Sequence, residues 1–252
     1  MTKHFFRSAA LSIACLILLT TVSLADEPSA SFGVIDRRDP RFNQLIPVTS
    51  KLEKLADGFD WSEGPVWDRD GSYLLFSDIP RNSVMKWKEG QSAATLFLKP
   101  SGYTGEGSWG AEPGSNGLLL DKEGRLILCQ HGDRRIARLE KDGKFTTLAD
   151  RYDGKRFNSP NDGVFKSNGD LYFTDPPYGL PKNYDDPHRE LDFCGVYRLS
   201  PDGKVTLLTT EMTRPNGIGF SPDEKTLYVA QSDPKAALWR AFDVKEDGTL
   251  SA

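Results

Sequence analysis

One repeat, found four times, decides what this chain can fold into. Segments beginning Glu63-Gly64, Asn116-Gly117, Asp162-Gly163 and Asn216-Gly217 each run through a polar turn into a β-rich stretch. Those stretches are Tyr73-Leu74-Leu75-Phe76-Ser77-Asp78, Arg125-Leu126-Ile127-Leu128-Cys129-Gln130, Asp170-Leu171-Tyr172-Phe173-Thr174-Asp175 and Thr226-Leu227-Tyr228-Val229-Ala230-Gln231. The Gly-to-Gly spacings are 53, 46 and 54 residues, a period that belongs to stacked supersecondary units. A third strand follows in each unit, at 83–87, 135–139, 195–199 and 237–242, and a fourth at 94–98, 145–149 and 205–208. Four short antiparallel strands joined by Gly/Asp turns make a propeller blade, so the expectation is an all-β propeller. An irregular all-β domain or a β-sandwich is the alternative, and the even spacing argues against it.

The domain is expected over 46–252, after an N-terminal segment at 26–45. Lys51-Leu52-Glu53-Lys54-Leu55 is expected to supply the outer strand of the last blade, a closure that hides sheet edges. The sequence stops just after the Asp247-Gly248 turn, partway through a blade, which leads to the expectation of a chain truncated at its C-terminus.

Residues 1–25 read as a cleavable export signal. Lys3 and Arg7 precede an apolar run from Ala9 to Leu24, and Ser23-Leu24-Ala25 offers a small-x-small cleavage site. A membrane anchor is the weaker alternative, because the run falls short of the ~20 residues a spanning helix needs. The expected location is periplasmic or secreted. Without those residues the chain carries 30 basic against 36 acidic residues, a balance that gives no reason to expect nucleic acid as a partner. Cys129 and Cys194 alone then remain, too few for a disulfide framework.

In a propeller the first strand of every blade lines the central channel, so the corners converge on one mouth. They supply Glu63, Asn116, Asn161-Asp162 and Asn216, a set of hard oxygen donors suited to Ca²⁺, with Zn²⁺, Mn²⁺ or Mg²⁺ as alternatives. Ordinary turn chemistry explains any one Asn-Gly corner, but four converging corners call for more. The second strands return one layer out with Asp78, Gln130-His131, Asp175 and Gln231. His131 is a candidate base or substrate contact. Two insertions, 101–115 and 176–193, carry Tyr103, Trp109, Tyr178 and Tyr184 and are the expected specificity loops.

Ser62-Glu63-Gly64-Pro65-Val66-Trp67, Arg156-Phe157-Asn158-Ser159-Pro160-Asn161-Asp162-Gly163, Phe173-Thr174-Asp175-Pro176-Pro177-Tyr178-Gly179 and Pro215-Asn216-Gly217-Ile218-Gly219-Phe220-Ser221-Pro222-Asp223 together carry a likeness. They resemble the gluconolactonase branch of the senescence marker protein/gluconolactonase/luciferin-regenerating-enzyme-like family. The resemblance implies a six-bladed propeller, of which one to two blades are missing here. It also implies a metal, commonly calcium, with Glu63, Asn161 and Asn216 matching its ligands. The family's acidic ligand and candidate base, in a Pro-Asp-Gly motif after the Asn216 corner, has no counterpart before Ala252. The implied reaction is metal-dependent opening of a small sugar lactone to an aldonic acid. Asn161, Asn116 and Tyr178 would contact the substrate, and Arg156 and His131 would assist. A related metal-dependent esterase or phosphotriesterase, or a propeller that binds without turnover, are the alternatives.

Overall fold

The computed structural model describes residues 32–251. The expected signal at 1–25 lies outside these residues. Two units are present, one ending at Lys54 and the other starting at Leu55. In the first, a single-turn helix α1 spans Phe42–Leu45, and Phe32 N–H donates to the Leu52 carbonyl at 3.0 Å. Residues 51–55, expected as an outer strand, form no strand. Among the described residues no helix is long and apolar enough to cross a membrane.

The second unit is a succession of four antiparallel sheets, each with its strands in sequence order. Blade 1 comprises β1 (Ser62–Asp68), β2 (Tyr73–Asp78), β3 (Ser83–Lys88) and β4 (Thr95–Leu98). Blade 2 comprises β5 (Ser115–Leu120), β6 (Leu126–Gln130), β7 (Arg135–Leu139) and β8 (Phe145–Ala149). A small hairpin follows, β9 (Arg151–Tyr152) and β10 (Lys155–Arg156), turning at Asp153-Gly154. Blade 3 comprises β11 (Gly163–Phe165), β12 (Leu171–Asp175), β13 (Gly195–Leu199) and β14 (Val205–Thr209). Blade 4 comprises β15 (Pro215–Phe220), β16 (Thr226–Gln231), β17 (Leu238–Val244) and β18 (Leu250–Ser251). The sequence reading thus locates the blades, while the β9–β10 hairpin and β18 were not foreseen.

Blades hold together face to face, and burial follows from that. In blade 3, Leu171, Tyr172 and Phe173 are all buried although successive side chains point to opposite faces, because a blade lies on each side. Leu171 and Phe173 join Ile127, Cys129 and Ile136 of blade 2, with Phe157 and Tyr197 filling the same layer. Tyr172 turns the other way, to Leu227, Val229 and Phe242 of blade 4. Leu75 and Val84 of blade 1 meet Leu118, Leu126 and Leu128 of blade 2. Each fully buried side chain of this size contributes roughly 1.5–3 kcal/mol. On the faces turned away from these layers, Trp67 of blade 1 is 44% exposed, and Tyr228 and Trp239 of blade 4 are 50% and 87% exposed. Cys129 and Cys194 are both buried and free, so no bridge forms between them.

Candidate active site

Every blade carries an irregularity where its inner strand begins. Glu63 pairs with Ser77 and Val66 with Leu75, so three steps on β1 match two on β2. The same slip falls between Ser115 and Leu118 in blade 2 and between Pro215 and Ile218 in blade 4. In blade 3, Asn161 N–H donates to Thr174 O at 2.8 Å and Thr174 N–H donates to Asp162 O at 3.0 Å, so two residues again oppose one. A β-bulge re-aims side chains and twists its strand. Here it occurs at or beside Glu63, Asn116, Asn161 and Asn216. The repeat therefore aligns with Asn161-Asp162, not Asp162-Gly163, at the corner of blade 3, and Asp162 stands where the other blades have glycine.

Neighbouring corners are stitched together. Gly117 N–H donates to Asn161 O at 2.7 Å. The hydroxyls of Ser77 and Thr174 donate to the carbonyls of Asn116 and Asn216, each at 2.7 Å. Glycine after Glu63 is obligatory: Gly64 has φ +55°, and a Cβ there would lie 2.1 Å from the Asn116 carbonyl oxygen.

The last residue of each second strand anchors the loop that leads into its corner. Asp78 Oδ1 accepts the N–H groups of Asp60 and Trp61, both at 3.2 Å. Asp175 accepts those of Asn158 at 2.8 Å and Ser159 at 2.7 Å. Gln231 Oε1 accepts that of Thr213 at 2.8 Å. Burial pushes the Asp175 carboxyl up to about 7, against the pull of those two N–H groups and then of Arg134 and Arg189. Arg134, only 2% exposed, donates through Nε to Phe157 O at 2.7 Å and through Nη1 to His188 O at 2.8 Å. Sequence reasoning missed this arginine, which looks like any surface charge beside Arg135.

Asn161 and His131 are both buried, with Asn161 Nδ2 3.3 Å from His131 Nε2. Glu112, which the sequence did not single out, places Oε2 3.3 Å from His131 Nδ1. Over the imidazole lies Gly179, where a Cβ would come within 2.4 Å of the His131 Cβ. Trp109 Nε1 donates to Gly179 O at 2.7 Å, and its ring stacks on Tyr103 at 5.5 Å. The two insertions thus meet above His131. Tyr178 reaches the blade 4 corner through Ser232: the two hydroxyls are 2.6 Å apart, and Asn216 Nδ2 donates to Ser232 Oγ at 3.3 Å. Arg156 is not drawn into this cluster, since its Nη2 donates to Asp133 O at 2.5 Å.

The donors fit a hard cation. Asn161 and Asn216 each engage a neighbour through Nδ2, which leaves the carbonyl oxygen as the end that can face a metal. Glu63 uses Oε1 to accept from Trp61 Nε1 at 3.1 Å and retains its second oxygen. Asp162 is pushed up to about 6 by burial, opposed by the N–H groups of Gly163 and Ile218 and reinforced by the Glu63 charge, so two carboxylates crowd one mouth. Among the described residues no group of three His, Cys, Asp or Glu forms a metal cage.

Comparison with known proteins identifies this architecture. The profile of the SMP-30/Gluconolactonase/LRE-like region matches residues 61–252. A gluconolactonase of Zymomonas mobilis is 38% identical over 244 residues, covering 92% of this chain and 68% of the relative. A solved gluconolactonase of Xanthomonas campestris superposes with a TM-score of 0.66 at 37% identity, covering 79% of this chain and 63% of that one. A second solved structure, of a candidate gluconolactonase, gives 0.72 at 34% identity, covering 84% and 69%. The chain spans roughly two thirds of the length of these relatives. With the profile running through all four blades and their corners, the chain belongs to the SMP-30/Gluconolactonase/LRE-like family.

Proposed function

We propose that this protein is an exported, metal-dependent lactonase that opens a sugar lactone to its aldonic acid at the mouth formed by the blade corners. The observation that carries the reading is the bulge repeated in four consecutive blades, which presents Glu63, Asn116, Asn161 and Asn216 from equivalent corners. The family's gluconolactonases support the lactone as substrate. Export rests on the pattern of residues 1–25.

Glu63, Asn161 and Asn216 would hold the cation, most suitably Ca²⁺. When bound, such an ion supplies Lewis-acid polarisation of a carbonyl oxygen. The chain's own residues do the rest. Asn116 and Asn161 offer amide groups to the hydroxyls and ring oxygens of the lactone. His131, whose Nε2 meets the Asn161 Nδ2, keeps the Asn161 amide from rotating. Trp109 and Gly179 close over that pair and shield it from bulk water.

The test is acid release from D-glucono-1,5-lactone in a pH-stat, with and without chelator and with Ca²⁺ restored. Turnover that a chelator leaves unchanged removes the metal from the proposal. Metal binding without turnover points instead to a binding propeller.

A further inference from the structure

Beside the blade 4 corner lies a cavity of about 570 Å³, whose walls include Tyr184, Arg189, Cys194, Met212 and Arg214. Its volume falls in the range that holds a small ligand. Two guanidinium groups flank the Tyr184 ring, Arg189 at 5.1 Å and Arg214 at 5.4 Å from its centroid. Arg214 also lies 5.7 Å from the centroid of Tyr178, and its Nε is buried without a hydrogen-bond partner. A buried N–H left unpaired is costly, and arginine pairs most strongly through a two-pronged contact to a carboxylate or phosphate.

The cavity's acids, Asp192, Glu211 and Asp233, leave this Nε unpaired. Glu211 pairs with Arg240, and Asp233 accepts from Thr213 Oγ1 at 2.7 Å and Lys235 N–H at 3.0 Å. Tyr178 and Ser232 join the cavity to the corner. Tyr178 contacts Arg214 with its ring and, through its hydroxyl and Ser232, reaches Asn216.

We infer that this cavity is a subsite for an anionic substituent on the lactone, a carboxylate or a phosphate at the end remote from the reacting carbonyl, received by Arg214 with Arg189 facing it across Tyr184. The inference rests on the lactonase reading for the position of the carbonyl. A six-carbon lactone held at the Asn161 and Asn216 corners extends its far carbon past Tyr178 toward Arg214.

The experiment compares D-glucono-1,5-lactone, its 6-phosphate and D-glucaro-1,4-lactone on the parent, Arg214→Gln and Arg214→Lys. The parent should favour one of the anionic lactones, and which one tells phosphate from carboxylate. Arg214→Gln should cut the anionic-to-neutral ratio of kcat/KM about tenfold or more, chiefly through KM, as loss of a charge-assisted pair does. Arg214→Lys, with charge but no fork, should lose less. Equal losses on neutral and anionic lactones would mean that Arg214 merely braces Tyr178, and a parent indifferent to the anion would also overturn the subsite. Should Arg214→Gln not fold, Arg214→Lys and Arg189→Gln must still lower the same ratio. If the parent opens none of the three lactones, the lactonase reading fails by itself. Calorimetric binding of 6-phosphogluconate and glucarate against gluconate then decides the subsite, which falls if Arg214→Gln leaves that difference intact.

Discussion

Gly117 donates its N–H to the carbonyl of Asn161 at 2.7 Å, binding the corner of blade 2 to that of blade 3. There is no room for a side chain: a Cβ on Gly117 would stand 2.8 Å from that oxygen and 2.9 Å from the Asp162 Cα. Gly117→Ala should therefore push the two corners apart, lowering Tm by several degrees and lactone turnover by on the order of tenfold or more. Gly219→Ala, where nothing lies within 4 Å, is the control and should change neither. Equal behaviour of the two variants in thermal melts and turnover would count against the stitched corners.

Asp175 gives a pH signature. Its carboxyl titrates at about 7 when folded, against an ordinary value of 3.8, so the folded chain holds a proton that the unfolded chain gives up. Stability from this group is fully present below about pH 4 and is lost as pH rises towards 7, a change of up to roughly 4 kcal/mol. Asp175→Asn removes that slope. Urea unfolding at pH 5 and pH 8 should show the parent's advantage over the variant shrinking at the higher pH, and an advantage that grows would contradict the assignment.

Glu63 is the one carboxylate proposed as a metal ligand. Glu63→Gln keeps the shape and the contact from Trp61 but removes the charge, so Ca²⁺ affinity measured by calorimetry should fall on the order of tenfold or more. A variant that binds as the parent does would remove Glu63 from the site.

Phe173 and Tyr228 test the layered packing. Phe173 is fully buried between blades, whereas Tyr228 is half exposed on the outer face of blade 4. Phe173→Ala should cost about 3–5 kcal/mol and Tyr228→Ala within about 0.5 kcal/mol in denaturant titrations.

The strands and corners are legible in the sequence because both obey local rules. The apolar, aromatic run Leu171-Tyr172-Phe173 and the Asp-Gly turns need no tertiary knowledge. The frame of the blade 3 corner is not legible in the same way, since Asn161-Asp162 and Asp162-Gly163 are equally good turn dipeptides and the choice is made by the hydrogen bonds to Thr174. Glu112 is invisible for another reason: it faces His131 across a turn of an insertion with no periodicity. Arg134 reads as a surface charge and Asp175 as one strand-end residue among several near the mouth, and only the contacts reveal that they hold the loops around Asn161. The unpaired Nε of Arg214 likewise exists only once Tyr178 and Tyr184 have closed around it.

The layers between blades also set how the molecule opens. The largest joins blades 2 and 3, while blades 1 and 4 each contribute one face to a smaller layer. Strands buried in the largest layer open least readily, so amide exchange should be slowest in β6 and β12 and faster in β1 and β15. Glu63 and Asn216 ride on blades held by the smaller layers, and Asn161 on a blade that shares the largest. Anything gripped by all three is released when a blade on a smaller layer breathes, which makes residence time at the mouth a property of the packing between blades.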